Sequence, residues 1–274
     1  MTRLAVLGSP IAHSKSPALH LAAYCELGLD WDYQPIDLVA VDLPAFLSDR
    51  GTDWRGLSLT MPLKQQVIEL LDWKDATASL TGAANTVLFE PSTGGRALRG
   101  YNTDVAGIAA AFRDAGVADL GRVRILGAGA TAASALVAVA GLGAERVSIS
   151  ARSTSRLVEL MELGEKLGVV VVAAEDDEPE PDAVISTLPG GSENPYRFSS
   201  ATRASSVLLD VAYDPWPSPL VTQWQEVRGR VIPGIDMLIN QALVQVRIFV
   251  GGDPDTELPG EAGVLRAMRL SVGA

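Results

Sequence analysis

The segment from Gly56 to Lys64 contains the side chains for which the sequence most strongly indicates a ligand-binding or catalytic role. It reads Gly-Leu-Ser-Leu-Thr-Met-Pro-Leu-Lys, a strand pattern over 57–59 followed by a helix predicted to start at Pro62. Proline fits the first helical turn because its missing N–H would have no partner within the helix there. Thr60 and Lys64 should therefore lie beyond the carboxyl end of a strand, where α/β proteins bind ligands. The alternative is an ordinary helix-surface lysine, and the segment alone favours neither.

A second segment with chemical meaning runs from 126 to 132 and reads Leu-Gly-Ala-Gly-Ala-Thr-Ala. It follows an apolar strand pattern and opens an alanine-rich helix. Glycines let the backbone approach a pyrophosphate, and the helix N-terminus attracts its charge. The Gly-x-Gly-x-x-Ala spacing alone is a weak signal, but this strand–turn–helix context is the one that a dinucleotide site requires. The predicted binding residues here are Gly127, Ala128, Gly129, Ala130 and Thr131.

The end of the next predicted strand distinguishes between the two nicotinamide cofactors. Residues 148–156 read Ser-Ile-Ser-Ala-Arg-Ser-Thr-Ser-Arg and contain no acid, although an NAD site usually places one there for the ribose 2′-hydroxyl. Arg152 and Arg156 instead offer guanidinium groups, which suit a phosphate. The alternative is a solvated helix end with incidental arginines, but cations there oppose the helix dipole unless an anion is bound. We therefore predict NADP.

Oxidation of a hydroxyl group by a nicotinamide also needs a group that takes the hydroxyl proton. Lys64 and Asp104 are the ammonium–carboxylate pair that the sequence offers for this step. No metal is expected, because the chain has one cysteine and two histidines. The hydroxyl and amide side chains that suit a small polyhydroxylated acid are Ser14, Ser16, Thr60, Asn85 and Gln241.

Composition excludes several other classes of protein. The 274 residues carry a formal net charge of -11 without any run of basic residues, which argues against nucleic acid as a partner. The N-terminus lacks the longer apolar region of a signal peptide, and the longest small-apolar stretch, 130–144, is too short to span a bilayer. We expect a cytoplasmic monomer or homodimer with a small-molecule substrate. His13 and His20 are expected to serve local hydrogen bonding or packing, and Cys25 to be a small core side chain.

The elements that must position these residues follow two α/β patterns. Predicted strands lie at 4–7, 32–37 and 57–59, with a hairpin over 86–90 and 97–101, and predicted helices at 17–27, 43–48 and 63–71. A more regular strand–helix alternation begins near Asp104, and helices at 236–250 and 259–270 end the chain. We predict a mixed α/β domain over 1–103, joined by the returning helices of 235–274, and a Rossmann-like domain over 104–234.

Taken together, these motifs resemble the NADP-dependent shikimate dehydrogenase family over nearly the whole chain. The resemblance rests on Ser14-Lys15-Ser16-Pro17, on Thr60 with Lys64, on 82–86, on Asn102-Thr103-Asp104, on 210–215 and on 237–242. It implies Lys64 and Asp104 as catalytic residues. It implies as substrate-binding residues Ser14, Ser16, Thr60, Asn85, Tyr213 and Gln241. It implies as cofactor-binding residues Gly127, Ala128, Gly129, Ala130, Thr131, Ala151, Arg152, Ser153, Arg156, Thr187, Val211 and Gly234.

The implied activity is the reversible NADP-dependent reduction of 3-dehydroshikimate to shikimate in chorismate and aromatic amino acid biosynthesis. Three departures from the family pattern stand out. Ser58 and Ala151 each occupy a position where members commonly have Asn, and Ala130 replaces a glycine-type residue. The loss of Asn at 151 removes an adenosine-side hydrogen bond and should weaken cofactor affinity, whereas none of the three touches hydride transfer.

Three other functions remain to be weighed against this one. An NAD-linked quinate/shikimate dehydrogenase should carry an acid near 150–152, where this chain has an arginine. A non-catalytic NADP-binding regulatory relative should have lost Lys64 or Asp104, and both are present. An enzyme similar to glutamyl-tRNA reductase needs a nucleophilic cysteine and a basic surface for RNA, and the sequence offers neither.

Overall fold

The computed structural model describes residues 1–93, 95–175, 178–192 and 195–274. The chain divides into two compact units of similar size. The first unit comprises Met1–Thr103 and Ile239–Ala274, and the second unit comprises Asp104–Leu238.

The first unit contains a mixed sheet flanked by helices. In chain order its elements are β1 Thr2–Gly8, α1 Ser16–Glu26, β2 Trp31–Asp37, α2 Leu43–Ser48, β3 Trp54–Leu59, α3 Leu63–Gln66, β4 Trp73–Lys74, α4 Ala76–Thr81, β5 Thr86–Ser92 and β6 Gly95–Tyr101. Within the described residues the sheet has six strands in the order β2-β1-β3-β5-β6-β4. Strand β1 runs parallel to β2 and β3, whereas β5 runs antiparallel to β3 and β6. The predicted mixed sheet is confirmed.

The core of the first unit explains why its central strands are almost continuously apolar. Leu4–Leu7 of β1 and Leu57 and Leu59 of β3 are buried, as expected for strands covered on both faces. Four of these residues pack with Leu63 and Val87 in one cluster of buried side chains: Ala5, Leu7, Leu57 and Leu59. This buried core holds β1 and β3 in place, and the candidate site lies at the ends of these two strands.

The second unit is a parallel doubly wound fold. Its elements are α5 Asp104–Asp114, β7 Arg122–Leu126, α6 Ala130–Ala140, β8 Arg146–Ser150, α7 Thr154–Leu167, β9 Val170–Ala173, β10 Ala183–Ser186, α8 Ser200–Ser205, β11 Val207–Asp210, α9 Pro219–Glu226 and β12 Arg230–Pro233. Its strands, as described, lie in the order β12-β11-β10-β7-β8-β9 and pair in parallel. Numbered within the unit, this is the Rossmann order 3-2-1-4-5-6.

Two helices complete the chain. Helix α10 (Gly234–Gly251) starts among residues of the second unit and continues into residues of the first, and α11 is Glu261–Ser271. Helix α11 packs against α1, with Val264 and Met268 buried. The expectation that C-terminal helices return to the first unit is confirmed.

The structure corrects two local predictions. The helix predicted over 63–71, with Pro62 as its first residue, is a four-residue α segment that begins at Leu63 and continues as a 3₁₀ turn over Val67–Leu70. The β-branched pair Val67-Ile68 disfavours continuation of the α-helix. Cys25 is exposed rather than in the core. The buried face of α1 contains Leu19 and Ala23 and their neighbours, and residue 25 lies on the opposite side of the helix.

Several elements had no prediction at all: β4, α4, α8, α9 and β12. The acidic, proline-containing composition of 175–181 predicts a solvated loop, and residues 176 and 177 of it lie outside the described part of the chain. Among its described residues, Glu178 forms an ion pair with Arg124 of β7 at 3.6 Å, and both side chains are largely buried. This end of the loop therefore contacts the sheet instead of extending into water.

Candidate functional site

The topology of the first unit brings four segments to one edge of its sheet. Strands β1 and β3 are parallel neighbours, so the residues that follow Gly8 and Leu59 emerge side by side. Strand β5 runs in the opposite direction, and therefore the residue before it, Asn85, lies at the same edge. Leu59 donates its N–H to the Asn85 carbonyl at 2.7 Å, and Asn85 donates its own to the carbonyl of Tyr101 at the end of β6 at 3.0 Å.

The serine pair follows β1 at this edge. The backbone N–H of Ser16 donates to the Ser14 hydroxyl at 3.3 Å, and Ser16 is buried at the start of α1. Gly8, at the end of β1, allows the chain there to approach the segment that follows β3 closely. A Cβ at Gly8 would overlap a methyl carbon of Thr60 and would lie 2.9 Å from the carbonyl oxygen of Met61. The chain that leads from β1 to the serine pair therefore starts in contact with the segment after β3.

Thr60 and Lys64 are held by backbone hydrogen bonds on both sides. The N–H of Thr60 donates to the Leu7 carbonyl at 2.9 Å, and the Thr60 carbonyl accepts from Leu63 at 2.8 Å. The Lys64 carbonyl accepts from the N–H of Ala84 at 2.8 Å. Thr60 and Lys64 are both partly buried. The short helix α3 thus carries its lysine beside the segment that contains Asn85.

Asn85 is the centre of a buried carboxamide cluster. Its Oδ1 accepts from the backbone N–H of Thr103 at 2.9 Å, and its Nδ2 donates to Gln241 Oε1 at 3.1 Å and to Thr103 Oγ1 at 2.8 Å. Asn85 is 2% exposed and Gln241 is 6% exposed. Gln241 comes from α10, far away in sequence. The structure therefore brings together two predicted substrate residues, Asn85 and Gln241, that the sequence alone could not pair.

Behind this cluster lies a second polar group that our sequence analysis missed. Gln245 donates from Nε2 to the Asn85 carbonyl at 3.1 Å and to Thr86 Oγ1 at 2.9 Å, and its Oε1 accepts from the Ser58 hydroxyl at 2.7 Å. His20 Nε2 lies 3.1 Å from the same Oε1. The available signal was the spacing of Gln241 and Gln245, four residues apart on one face of a predominantly apolar helix.

Burial dominates the electrostatics of this second group. It lowers the pKa of His20 to about 3, against an ordinary value of 6.5 and in spite of the Gln245 hydrogen bond. Burial also raises the pKa of Tyr33, whose hydroxyl donates to Ser58 at 2.7 Å. The His20 ring stacks on Tyr33 with centroids 4.1 Å apart. His20 therefore stays neutral and serves packing and hydrogen bonding, which agrees with the sequence-based expectation.

In the second unit, the glycine loop has the geometry of an anion cradle. Gly127 adopts φ +104°, and a Cβ there would lie 2.5 Å from Thr187 Oγ1. Gly129 precedes α6 without a capping side chain, and a Cβ there would meet open space. Thr187 Oγ1 donates to the Leu126 carbonyl at 2.8 Å. The first N–H groups of α6, in the part containing Ala130 and Thr131, can thus be approached closely by a phosphate.

The predicted phosphate-selecting residues follow β8. Ser153 caps α7, because its hydroxyl accepts from the N–H of Arg156 at 3.4 Å. Arg152 is exposed and Ala151 is partly buried. Arg156 forms an ion pair with Glu159 of its own helix at 3.2 Å, with both side chains largely exposed. Arg152 is therefore better placed than Arg156 to meet a ligand.

The remaining predicted cofactor residues lie at the ends of β10, β11 and β12. Gly234 is required by close packing, because a Cβ there would lie 2.5 Å from the Val211 carbonyl oxygen. Val211 donates its N–H to the Ser186 carbonyl at 3.0 Å. Asp210 accepts from the Ser218 hydroxyl at 2.5 Å, and burial raises its pKa. Asp210 and Ser218 hold the loop that contains Tyr213, a structural role that our sequence analysis did not assign.

Asp104 is the first residue of α5 and is 3% exposed. It directly follows Thr103, whose backbone N–H donates to Asn85.

Among the residues that the structure describes, no group of three or more histidine, cysteine, aspartate or glutamate side chains is arranged to hold a metal ion. Over the same residues, no helix is long and apolar enough to cross a bilayer.

These features define a class of protein before any comparison is made. A Rossmann-ordered parallel sheet with a glycine loop accompanies a mixed α/β unit whose sheet edge carries hydroxyl, amide and ammonium groups. This is the combination expected of a nicotinamide-dependent oxidoreductase of the two-unit type.

Comparisons with known proteins agree with this class and narrow it. The family model described as "Shikimate dehydrogenase substrate binding domain" matches residues 6–87. The shikimate dehydrogenase (NADP(+)) of Methanothermobacter thermautotrophicus is 30% identical over 94% of this chain and 94% of its own. The chain belongs to the shikimate dehydrogenase family.

Solved structures show the same likeness. The shikimate dehydrogenase of Mycobacterium tuberculosis is 35% identical, with a TM-score of 0.82 over 98% of this chain and 100% of its own. The shikimate 5-dehydrogenase of Thermus thermophilus, in complex with NADP(H) and shikimate, is 30% identical. Its TM-score is 0.80 over 99% of this chain and 100% of its own.

Proposed function

We propose that this chain catalyses the reversible NADP-dependent reduction of 3-dehydroshikimate to shikimate, a step of chorismate and aromatic amino acid biosynthesis. Membership of the shikimate dehydrogenase family supports the proposal. The observation that carries it is the buried carboxamide cluster of Asn85 and Gln241, at the same sheet edge as Thr60 and Lys64. Paired amides beside hydroxyl groups match a small ligand with several hydroxyls.

The substrate residues divide by the chemistry that they offer. Ser14, Ser16 and Thr60 offer short hydroxyl groups that suit a carboxylate. Asn85 and Gln241 offer oriented amides that suit ring hydroxyls, because buried amides left unpaired by a wrong ligand would cost binding free energy. Tyr213 is proposed as a further substrate contact.

The residues of the second unit fit NADP. The open space at Gly129 and the uncapped start of α6 suit a pyrophosphate, and Gly127 permits the turn that leads to it. The exposed guanidinium of Arg152 suits the extra phosphate that distinguishes NADP from NAD. The other residues proposed to line this site are Ala128, Ala130, Thr131, Ala151, Ser153, Arg156, Thr187, Val211 and Gly234. When bound, NADP supplies the hydride or accepts it.

Lys64 and Asp104 are proposed to move the proton that must accompany the hydride. In the oxidation direction, the substrate hydroxyl loses its proton as hydride departs from the same carbon. A lysine–carboxylate pair can take up that proton, because the neutral amine or the carboxylate accepts it and the resulting ammonium can hydrogen-bond the carboxylate or the substrate oxygen. Because Lys64 and Asp104 act in the proton transfer, their loss should lower the rate of turnover more than it weakens substrate binding.

The decisive experiment measures nicotinamide absorbance with purified protein, with shikimate or quinate as substrate and NADP or NAD as cofactor. We expect rapid turnover of shikimate with NADP and poor turnover of quinate, whose extra C1 hydroxyl has little room among Ser14, Ser16 and Thr60. Comparable rates with quinate and NAD would instead favour the NAD-linked quinate/shikimate dehydrogenase. No turnover with any pair, but binding of NADP, would favour the non-catalytic relative.

Two further expectations belong to the same proposal. We infer that the protein acts in the cytoplasm, where its nicotinamide cofactor is found, and that it acts as a monomer or a homodimer. Size-exclusion chromatography with light scattering distinguishes the two states.

A further inference from the structure

We infer that Gln245 and Thr86 are positioning residues that fix which way the Asn85 and Gln241 carboxamides face in the substrate site. The inference rests on the proposed function, because it assigns the substrate side of the site to those two amides. Neither Gln245 nor Thr86 belongs to the proposed set of substrate-contacting residues. Both are buried within the first unit, at 2% and 0% exposure.

The orientation of Gln245 is set by a backbone group that can only accept. Its side chain faces the Asn85 carbonyl oxygen at 3.1 Å, so the atom there must be the amide nitrogen. The same nitrogen donates to Thr86 Oγ1 at 2.9 Å. The amide oxygen of Gln245 therefore faces the Ser58 hydroxyl, which donates to it at 2.7 Å.

The histidine behind Gln245 supports this assignment. Because Gln245 Oε1 only accepts, the Nε2 of His20 must carry the proton and donate across 3.1 Å. His20 Nδ1 then accepts from the Tyr24 hydroxyl at 3.1 Å. Tyr33 donates to Ser58 at 2.7 Å, which leaves the Ser58 proton for Gln245. Each donor in this group has an acceptor, so the arrangement is self-consistent.

Thr86 links the orientation of the Gln245 carboxamide to that of Asn85. The Thr86 hydroxyl accepts from Gln245, so its own proton is directed to Asn85 Oδ1 at 2.8 Å. The backbone N–H of Thr103, which can only donate, faces the same oxygen at 2.9 Å. Both contacts require the oxygen of Asn85 at this place and the nitrogen on the other side.

The orientation of Gln241 follows from that of Asn85. The Asn85 nitrogen donates to Gln241 Oε1 at 3.1 Å, so the oxygen of Gln241 faces Asn85 and its nitrogen is on the opposite branch of the carboxamide. The Gln241 nitrogen therefore faces away from Asn85. Loss of the Thr86 hydroxyl would leave the Thr103 N–H to hold the Asn85 oxygen without the help of Thr86. The preference for this orientation would then be weaker, and a ligand would have to restore it at a cost in affinity.

Two conservative substitutions at Thr86 test this. Thr86→Val keeps the shape but removes the hydroxyl, whereas Thr86→Ser keeps the hydroxyl. With Thr86→Val we expect KM for shikimate to rise about tenfold, because two buried hydrogen bonds to oriented amides are lost. We expect kcat and KM for NADP to change by less than about threefold, and Thr86→Ser to restore KM. Calorimetric titration with shikimate should show the same loss of affinity.

Controls separate positioning from general destabilisation. Val264→Ala truncates a buried side chain of α11, the helix that packs against α1 in the same unit. It should lower stability while leaving KM for shikimate unchanged. If Val264→Ala raised KM as much as Thr86→Val, the inference would be overturned. If Thr86→Val does not fold, Gln245→Met provides the same comparison, with the same expected rise in KM.

The outcomes also separate this inference from the proposed function. Wild-type protein that neither binds nor converts shikimate removes both. Wild-type protein that converts shikimate, while Thr86→Val and Gln245→Met retain the wild-type KM, removes this inference alone and leaves the proposed function intact.

Discussion

The two units build their candidate sites from different materials. In the first unit, buried side chains from β3, β5 and α10 form a connected group of hydrogen bonds around Asn85. In the second unit, the proposed cofactor cradle consists of backbone at Gly127 and Gly129, together with the exposed side chain of Arg152. A backbone cradle can be formed by one contiguous segment, because a strand, a turn and a helix suffice to make it. A side-chain group needs distant parts of the chain to arrive together.

This contrast predicts that substitutions in the first unit act through specific orientation and proton transfer. Substitutions in the second unit should instead act through local backbone geometry and single charged contacts. Four experiments test this difference between the two units.

Lys64→Ala should reduce kcat by about 10²–10⁴, because acid–base groups typically contribute that much to rate. KM for shikimate should change little. Steady-state kinetics with shikimate and NADP measure both constants. Lys74→Ala is the matched control, since Lys74 is a lysine of the same unit outside the proposed site, and it should retain wild-type kcat.

Asp104→Asn extends this test. It should also lower kcat severely, and the double variant with Lys64→Ala should not fall by the product of the two losses, because both residues serve one proton transfer. A fully multiplicative loss would show independent roles, and the assignment of a shared proton to Lys64 and Asp104 would have to be abandoned.

Gly127→Ala and Gly129→Ala should separate fold from cofactor binding. At Gly127 an alanine meets both φ +104° and Thr187 Oγ1 at 2.5 Å, so the free energy of unfolding should fall by about 1–3 kcal/mol. At Gly129 there is open space, so stability should be preserved while NADP affinity falls. Urea unfolding and fluorescence titration with NADP measure the two effects. Equal stability of the two variants would contradict the strain argument at Gly127.

His20 should make the first unit sensitive to acid. Its pKa is about 3 in the folded protein and about 6.5 in the unfolded chain, so the unfolded chain binds an extra proton between those values. The contribution is constant above about pH 6.5 and is lost as the pH falls toward 3. Between pH 7 and 5 it should cost about 2 kcal/mol.

The measurement compares urea unfolding of wild type and His20→Phe at pH 7 and pH 5. The phenyl ring can still stack on Tyr33, but it does not titrate. The variant should be less stable at pH 7, because Gln245 loses a donor, yet its stability should fall less on acidification. Parallel pH profiles for the two proteins would show that His20 is not the group responsible.

Arg152→Ala should raise KM for NADP roughly tenfold or more, because a charged hydrogen bond to phosphate is lost. KM for NAD should be nearly unchanged. Arg156→Ala should have a smaller effect, since Arg156 already pairs with Glu159. Equal losses for both cofactors in Arg152→Ala would make Arg152 a structural residue instead of one that selects NADP.

The sequence by itself determined the local parts of this protein. The strand–glycine–helix pattern at 122–140, the hairpin of β5 and β6 and the apolar strands β1 and β3 all follow from short-range spacing, and the structure contains each of them. The family, the mixed sheet and the Rossmann-like unit were also predictable, because their motifs lie in contiguous segments. Local rules failed where two tendencies compete, as at Val67-Ile68, where an apolar helix pattern meets β-branched residues.

The tertiary structure alone decided which polar side chains meet. Gln245 lies 160 positions from Asn85 in the chain, and His20 lies 225 positions from Gln245, yet each pair is joined by a hydrogen bond. No local pattern encodes such contacts, because they depend on α10 crossing the edge of a sheet built from earlier residues. The exposure of Cys25 was decided in the same way, by which face of α1 packs against the rest of the first unit. Side-chain type can be read from the sequence, but the orientation of a buried amide requires the neighbours that folding supplies.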